Sequence, residues 1–111
     1  MESTFTIIAE PSRRAILHLL AATESSVGDI GRQLRLPQPS VSKHLRVLRE
    51  AGFVRARGDA QRRLYRLRPE PLRELDDWLA PFRRYWSSHM DALERHLDRS
   101  NPAPRRKGRK R

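Results

Sequence analysis

Short polar and basic side chains are concentrated in one stretch of the sequence, residues 36–52. Near its start lie Gln38, Ser42 and Lys43, and Arg46 follows. Glutamine can pair with adenine, serine with several bases, and lysine or arginine with guanine or with phosphate. A helix carrying these groups is equipped to enter the major groove of DNA. The alternative is an ordinary surface helix whose polar face is only solvated, and the flanking segments must decide between the two.

We expect residues 38–51 to form the helix that presents these side chains. Pro39 suits the first helical turn, where its missing N–H is not needed. Gly52 suits the left-handed residue that often ends a helix. The apolar positions between them recur at helical spacing and are Val41, Leu45 and Leu48. This narrow stripe predicts one buried face, with the polar and basic groups on the opposite side.

Two shorter helices are predicted before this one. Pro11 begins the first, and Ser26-Val-Gly-Asp29 resembles a capping box that opens the second, a helix of about eight residues. Gly31 inside that helix costs about 1 kcal/mol relative to alanine, which favours a close crossing by another helix. The link at residues 35–37 is short. These features predict a helix-turn-helix, whose second helix reads DNA.

After Gly52 the apolar period changes from helical to alternating. Residues 53–57 and 63–67 are predicted as strands around a loop at 58–62, so that the hairpin of residues 54–67 forms a wing. We expect Arg62 and Arg63 at its tip to reach phosphates or a narrow minor groove. In the alternative interpretation these arginines only protect the hairpin edge.

Several stretches resemble the ArsR family of bacterial winged-helix repressors. They are Ala9-Glu-Pro-Ser-Arg-Arg-Ala-Ile-Leu17, Gln38-Pro-Ser-Val-Ser-Lys-His-Leu45, Leu48-Arg-Glu-Ala-Gly-Phe-Val54 and Leu64-Tyr-Arg-Leu67. The resemblance covers residues 5–97, and it implies a homodimer that binds an operator and usually represses transcription. It also implies that Gln38, Ser40, Ser42, Lys43 and His44 read DNA. His44 lies beside the apolar stripe, so we expect it to be half-buried with its ring tip on phosphate. The full predicted DNA-binding set is Gln38, Ser40, Ser42, Lys43, His44, Arg46, Arg62 and Arg63.

The C-terminal segment carries a long apolar stripe from Leu72 to Leu97, with gaps that alternate between three and four residues. This pattern is typical of a helix that packs on another helix. Pro81 predicts a kink or break within it. A partner related by a two-fold axis would cover the stripe, joined by a short N-terminal helix at residues 3–9. The alternative is a stripe that packs wholly within one subunit. The predicted dimer interface consists of Phe5, Ile8, Leu75, Leu79, Phe82, Trp86, Met90 and Leu93.

The 111 residues are consistent with one mainly helical domain with a small β-hairpin, residues 1–100, and a tail at residues 101–111. The formal net charge is +11, which indicates an anionic partner. The tail holds six lysines and arginines and no acidic residue, so we expect it to be disordered. It either adds affinity for any duplex or only improves solubility.

The absence of cysteine excludes disulfides, thiolate metal sites and cysteine nucleophiles. Some family members hold zinc between C-terminal helices, but only Asp76 and His89 match that pattern, and Trp78 and Ala92 stand where ligands should be. We therefore expect no metal and no cofactor. No glycine-rich phosphate loop or nucleophile-base pair indicates an enzyme. No apolar run is long enough for a membrane span, so we expect a cytoplasmic protein.

Together these observations predict a winged helix-turn-helix protein that dimerises through its N- and C-terminal helices and binds double-stranded DNA. The predicted function is a sequence-specific transcriptional regulator, a homodimeric repressor on an inverted-repeat operator. The alternative is a DNA-architectural or protein-interaction module without a single operator. The sequence identifies neither the operator nor a small-molecule effector.

Overall fold

The computed structural model describes residues 2–100, with side chains described for residues 4–99. Its elements are α1 Glu2–Ile8, α2 Pro11–Ala22, β1 Ser25–Ser26, α3 Val27–Leu34, α4 Gln38–Glu50, β2 Val54–Asp59, β3 Arg62–Leu67 and α5 Glu70–Ser100. The strands form one antiparallel sheet in the order β1, β3, β2. A helix-turn-helix followed by a hairpin is the predicted winged helix-turn-helix. The predicted tail, residues 101–111, lies outside the described residues.

The chain divides after Asp77 into two units, and the boundary lies within α5. The first unit contains α1 to β3 and residues 70–77, and the described part of the second is the remainder of α5. The helix continues through Pro81, so no break occurs there, and the predicted kink stays a prediction. Proline cannot donate a hydrogen bond to the carbonyl of Asp77, but both residues are exposed, and water can bond that carbonyl instead.

The core of the first unit lies among α2, α3, α4 and the start of the wing. It consists of Ile16, Leu17, Leu20, Ile30, Val41, Leu45, Leu48, Phe53 and Val54. The predicted stripe of α4 contributes three of these side chains, each at most 1% exposed. Burying a side chain of this size contributes roughly 1.5–3 kcal/mol. Burial of the stripe therefore fixes the rotation of α4 about its axis and turns the opposite face to solvent.

The backbone that approaches Gly31 most closely belongs to the link between α3 and α4, while the side chain that meets it from α4 makes only an ordinary contact. A Cβ on Gly31 would lie 3.0 Å from the backbone oxygen of Leu36 and 3.8 Å from Cγ2 of Val41. The Leu36 N–H also donates to the Gly31 carbonyl at 3.0 Å. At the other end of α3, the Ser26 hydroxyl accepts from the Asp29 N–H at 3.1 Å, so Ser26 caps the helix as predicted, while the Asp29 carboxylate pairs with Arg32 and Arg62.

The hairpin of β2 and β3 spans the predicted residues, but the predicted loop at 58–62 is wrong. Asp59 pairs with Arg62, and Gly58 pairs with Arg63, so the connection is only Ala60 and Gln61. Glycine and aspartate favour turns, which is why the sequence indicated a longer loop. In the structure Ala60 takes the left-handed conformation instead, with φ of 58°.

Two backbone hydrogen bonds join the end of α4 to the base of the wing. The Phe53 N–H donates to the Leu48 carbonyl at 2.9 Å, and the Arg68 N–H donates to the Phe53 carbonyl at 2.8 Å. Gly52, which immediately precedes Phe53, has φ of 84°, the left-handed conformation predicted for it. The buried ring of Phe53 anchors this junction, so α4 and the wing are held at a fixed spacing.

Candidate nucleic-acid interface

The outer face of α4 presents most of the side chains predicted to read DNA. Gln38, Ser42, Lys43 and Arg46 are exposed, and Ser40 is half-buried. α4 begins at Gln38, and Pro37 before it provides no side-chain hydrogen bond to the first turn. The polar groups therefore lie at the start of α4, next to the turn that follows α3.

His44 is placed differently from these side chains. Its side chain is only 16% exposed, and its Nε2 lies 3.9 Å from Oε1 of Glu10. Glu10 in turn accepts from the Ser12 N–H at 2.8 Å and caps the start of α2. The Nδ1 atom of His44 is buried and has no hydrogen-bond partner among the described residues. The ring is thus half-buried, as predicted, but it faces α2, and a contact with phosphate stays a prediction.

In the wing, Arg62 forms ion pairs at both ends of its guanidinium. Its Nη1 lies 3.7 Å from Oδ2 of Asp29 on α3, and its Nη2 lies 3.7 Å from Oδ2 of Asp59 across the hairpin. Asp29 also accepts a hydrogen bond from Arg32, one turn further along α3. Sequence reasoning missed Arg32 as part of this cluster, although an acid and a base three residues apart on a helix is a recognisable signal.

A second cluster holds the outer face of the wing to the segment between α2 and β1. The carboxylate of Glu24 accepts two hydrogen bonds from Arg57, both at 3.0 Å, and lies 3.9 Å from Arg66. The hydrogen bond from Arg57 lowers the pKa of the Glu24 carboxyl below its ordinary value of 4.5, against the opposing effect of desolvation. The same bond raises the pKa of Arg57. Thirty-three residues separate this pair, and no local pattern in the sequence indicates it.

Two surface clefts connect the start of α4 with the wing. The first has a volume of about 260 Å³ and is lined by Val27, Gly28, Gly31, Arg32, Leu36 and Gln38. The second, which we call the α3–wing cleft, has a volume of about 440 Å³ and is lined by Ser26, Val27, Gly28, Asp29, Arg32, Arg62 and Arg63. Because Val27, Gly28 and Arg32 line both, one continuous surface runs from Gln38 to the predicted phosphate contacts of the wing.

The residues predicted for a dimer interface fall into two groups. In the first unit Phe5, Ile8 and Leu75 are half-buried, and Ile8 packs against the core. The group in the second unit is exposed and consists of Leu79, Phe82, Trp86, Met90 and Leu93. A role for either group in a dimer stays a prediction.

In residues 2–100 we find neither a cluster of metal-ligating side chains nor a membrane-spanning helix. Within this range no three histidine, aspartate or glutamate side chains lie close enough together to hold a metal ion. Over the same residues no helix combines the length and the apolar character required to cross a membrane.

Comparison with known proteins gives consistent matches. Residues 10–56 match the family model described as bacterial regulatory protein, arsR family. The chain is 32% identical over 82 residues to the transcriptional repressor SdpR of Bacillus subtilis, which covers 74% of this chain and 91% of that protein. It is 35% identical over 91 residues to the HTH-type transcriptional regulator Rv2034 of Mycobacterium tuberculosis, which covers 82% of each.

A solved structure is also similar, with a TM-score of 0.60 and 28% identity over 70% of this chain and 75% of the other. It is the solution structure of the homodimeric winged helix-turn-helix DNA-binding domain of Mb0332 from Mycobacterium bovis, a possible ArsR-family transcriptional regulator.

Proposed function

We propose that this chain, which belongs to the arsR family of bacterial regulatory proteins, is a homodimeric repressor that binds an inverted-repeat operator. The chain is a winged helix-turn-helix transcriptional regulator, as its relatives are. In the proposed complex α4 lies in the major groove, and the hairpin of β2 and β3 contacts the neighbouring backbone or minor groove. The protein acts in the cytoplasm on double-stranded DNA, and the proposal includes no catalytic activity and no cofactor.

The observation that carries this proposal is the division of α4 into two faces. Three side chains on one face are at most 1% exposed, while Gln38, Ser42 and Lys43 project from the other face at the start of the helix. An amide, a hydroxyl and an ammonium group at this position can contact base edges and phosphates. The proposed DNA contacts are Gln38, Ser40, Ser42, Lys43, His44, Arg46, Arg62 and Arg63.

The inverted repeat follows from symmetry. Two copies related by a two-fold axis present two α4 helices in opposite orientation, so their half-sites form a palindrome. The homodimeric domain from Mycobacterium bovis supports this part of the proposal, and the name of the Bacillus subtilis relative supports repression.

The test begins with selection of bound duplexes from a random pool. We expect one inverted repeat to be enriched. On that duplex Gln38→Ala should lose about 1–3 kcal/mol of discrimination at one position per half-site, while Arg63→Ala weakens all duplexes to a similar extent. Binding is measured by fluorescence anisotropy on the selected duplex and on single-base variants.

Gln33→Ala is the matched control, because Gln33 is an exposed glutamine on α3 that does not line the clefts. It should leave the preference unchanged. Enrichment of no sequence would favour the architectural module over the repressor, and a uniform loss of affinity in the Gln38 variant would contradict its base contact.

A further inference from the structure

The charged side chains that line the α3–wing cleft are basic except for one. Among the described residues, Asp29 is the one carboxylate that lines the cleft, and three arginines line it as well: Arg32, Arg62 and Arg63. The carboxylate uses both oxygens, since Oδ1 accepts from Arg32 and Oδ2 lies 3.7 Å from Nη1 of Arg62. One acidic group thus connects a cation on the helix-turn-helix to a cation on the wing.

Arg32 reaches this position by folding back along α3. A Cβ on Gly28 would lie 3.5 Å from Nη1 of Arg32, so the guanidinium lies beside the first turn of the helix that carries it. The side chain of Arg32 is nevertheless 74% exposed, and that of Arg62 is 56% exposed. Both guanidinium groups therefore remain accessible to a ligand that approaches from solvent.

The location of the cleft indicates which ligand this is. The adjoining cleft leads to Gln38 at the start of α4, and Arg32 lines both clefts. A DNA strand whose bases meet the start of α4 would therefore pass its backbone over α3 towards the wing. Guanidinium groups bind phosphate with the same fork geometry that they use for carboxylate.

We propose that the α3–wing cleft binds a backbone phosphate of DNA through Arg32 and Arg62, and that Asp29 occupies the phosphate position in the free protein. The inference rests on the proposed DNA-binding function and adds a contact to it. Phosphate binding requires both arginines to exchange one acceptor for another. Because ion pairs between exposed side chains are weak, this exchange is readily reversible. Asp29 then lowers affinity for all sequences alike.

The test uses the full chain and a fluorescently labelled duplex of mixed sequence, because a backbone contact does not depend on the operator. Affinity is measured by anisotropy at several sodium chloride concentrations. For Arg32→Ala we expect the Kd at low salt to rise about three- to tenfold, and the slope of log affinity against log salt to become shallower by about 0.9. For Asp29→Asn we expect the Kd at low salt to fall about threefold.

Two matched controls remove one charge of each sign from α5. Arg73→Ala and Asp77→Asn alter exposed side chains that do not line the cleft, so both should bind like the unmodified chain. A double-variant background separates local competition from general charge. When Arg32→Ala and Arg62→Ala are both present, Asp29→Asn should no longer increase affinity. Both arginines that pair with the Asp29 carboxylate are then absent, so its removal frees no cation to bind phosphate.

Each other result overturns the proposal. If Asp29→Asn weakens binding, Asp29 is a tether that positions the wing, and it does not compete with phosphate. If the gain persists in the double-variant background or equals that of Asp77→Asn, the effect is general electrostatics. If Arg32→Ala binds like Arg73→Ala, Arg32 contacts no phosphate, yet the proposed function stands. Failure of the unmodified chain to bind any duplex would instead refute the proposed function.

Discussion

At the residue scale, the packing around Gly31 in the helix-turn-helix disfavours any larger residue at that position. The Cβ of an alanine would lie 3.0 Å from the backbone oxygen of Leu36, closer than such contacts normally are. Alanine gains about 1 kcal/mol over glycine from helix propensity. Overpacking against a fixed neighbour costs about 1–3 kcal/mol. The neighbour here is backbone held by its own hydrogen bond to Gly31, so the cost exceeds the gain.

We therefore expect Gly31→Ala to lower the free energy of unfolding by about 1 kcal/mol in urea titrations. Gly28→Ala is the matched control in the same helix, because its Cβ would meet Arg32 at 3.5 Å, an ordinary contact. It should be neutral or stabilising by up to about 1 kcal/mol. Equal effects of the two substitutions would mean that the link carrying Leu36 can move to accommodate the added methyl group.

Single residues also show why part of the candidate site could not be predicted. Gln38 and Lys43 were placed correctly on the outer face, because burial of an apolar stripe determines the opposite side of a helix. For His44 the sequence indicated half-burial but not the direction of the ring towards Glu10. The pairing of Arg62 with Asp29 depends on how the wing meets α3, and helical or strand periodicity contains no information about that contact.

At the scale of elements, the ion pair of Glu24 and Arg57 joins β2 of the wing to the segment between α2 and β1. The hydrogen bond from Arg57 holds the pKa of Glu24 below 4.5, so the folded chain binds the proton of this carboxyl more weakly than the unfolded chain does. The stabilisation is fully present above about pH 4.5 and is lost as the pH falls through the lowered pKa.

We expect Glu24→Gln to be less stable than the unmodified chain at neutral pH, and the difference to shrink as the pH is lowered below 4.5. Urea midpoints at pH 7 and at acidic pH measure this difference. Glu50→Gln, an exposed carboxylate at the end of α4, serves as control and should show a smaller difference. A deficit of Glu24→Gln that is independent of pH would contradict the assigned role of the charge.

The sequence predicted an element correctly where it carries a long amphipathic pattern. It failed where tertiary contacts determine the local conformation. α4 and the outer bounds of the hairpin agree with prediction, since both have several apolar positions at regular spacing. β1 was missed because its two serines have no alternating pattern and are extended only through pairing with β3. The hairpin turn was misplaced because Ala60 adopts a conformation that the sequence favours for glycine.

At the scale of the whole molecule, the exposed large apolar side chains among the described residues all lie in the second unit. Eight large apolar side chains between residues 78 and 97 are each at least 36% exposed. Two of them form an aromatic pair, since the rings of Trp78 and Phe82 lie 4.8 Å apart. Soluble proteins that act as monomers rarely expose a large contiguous apolar patch. This surface supports the proposed dimer, in which a second copy would cover apolar side chains that a small chain does not bury by itself.

Trp86→Asp tests this assembly, because the indole at the middle of the stripe is 46% exposed and an aspartate there would place an unpaired charge in the interface. We expect the unmodified chain to sediment as a dimer at micromolar concentration without DNA, and the variant to sediment as a monomer. The first unit has its own core, so the circular dichroism of the variant should remain helical.

Ser88→Asp introduces the same charge at an exposed position on the other side of α5 and should remain dimeric. A stable monomer of the unmodified chain, or equal dissociation of both variants, would show that the stripe is not the dimer interface, and the inverted repeat would then lose its structural basis.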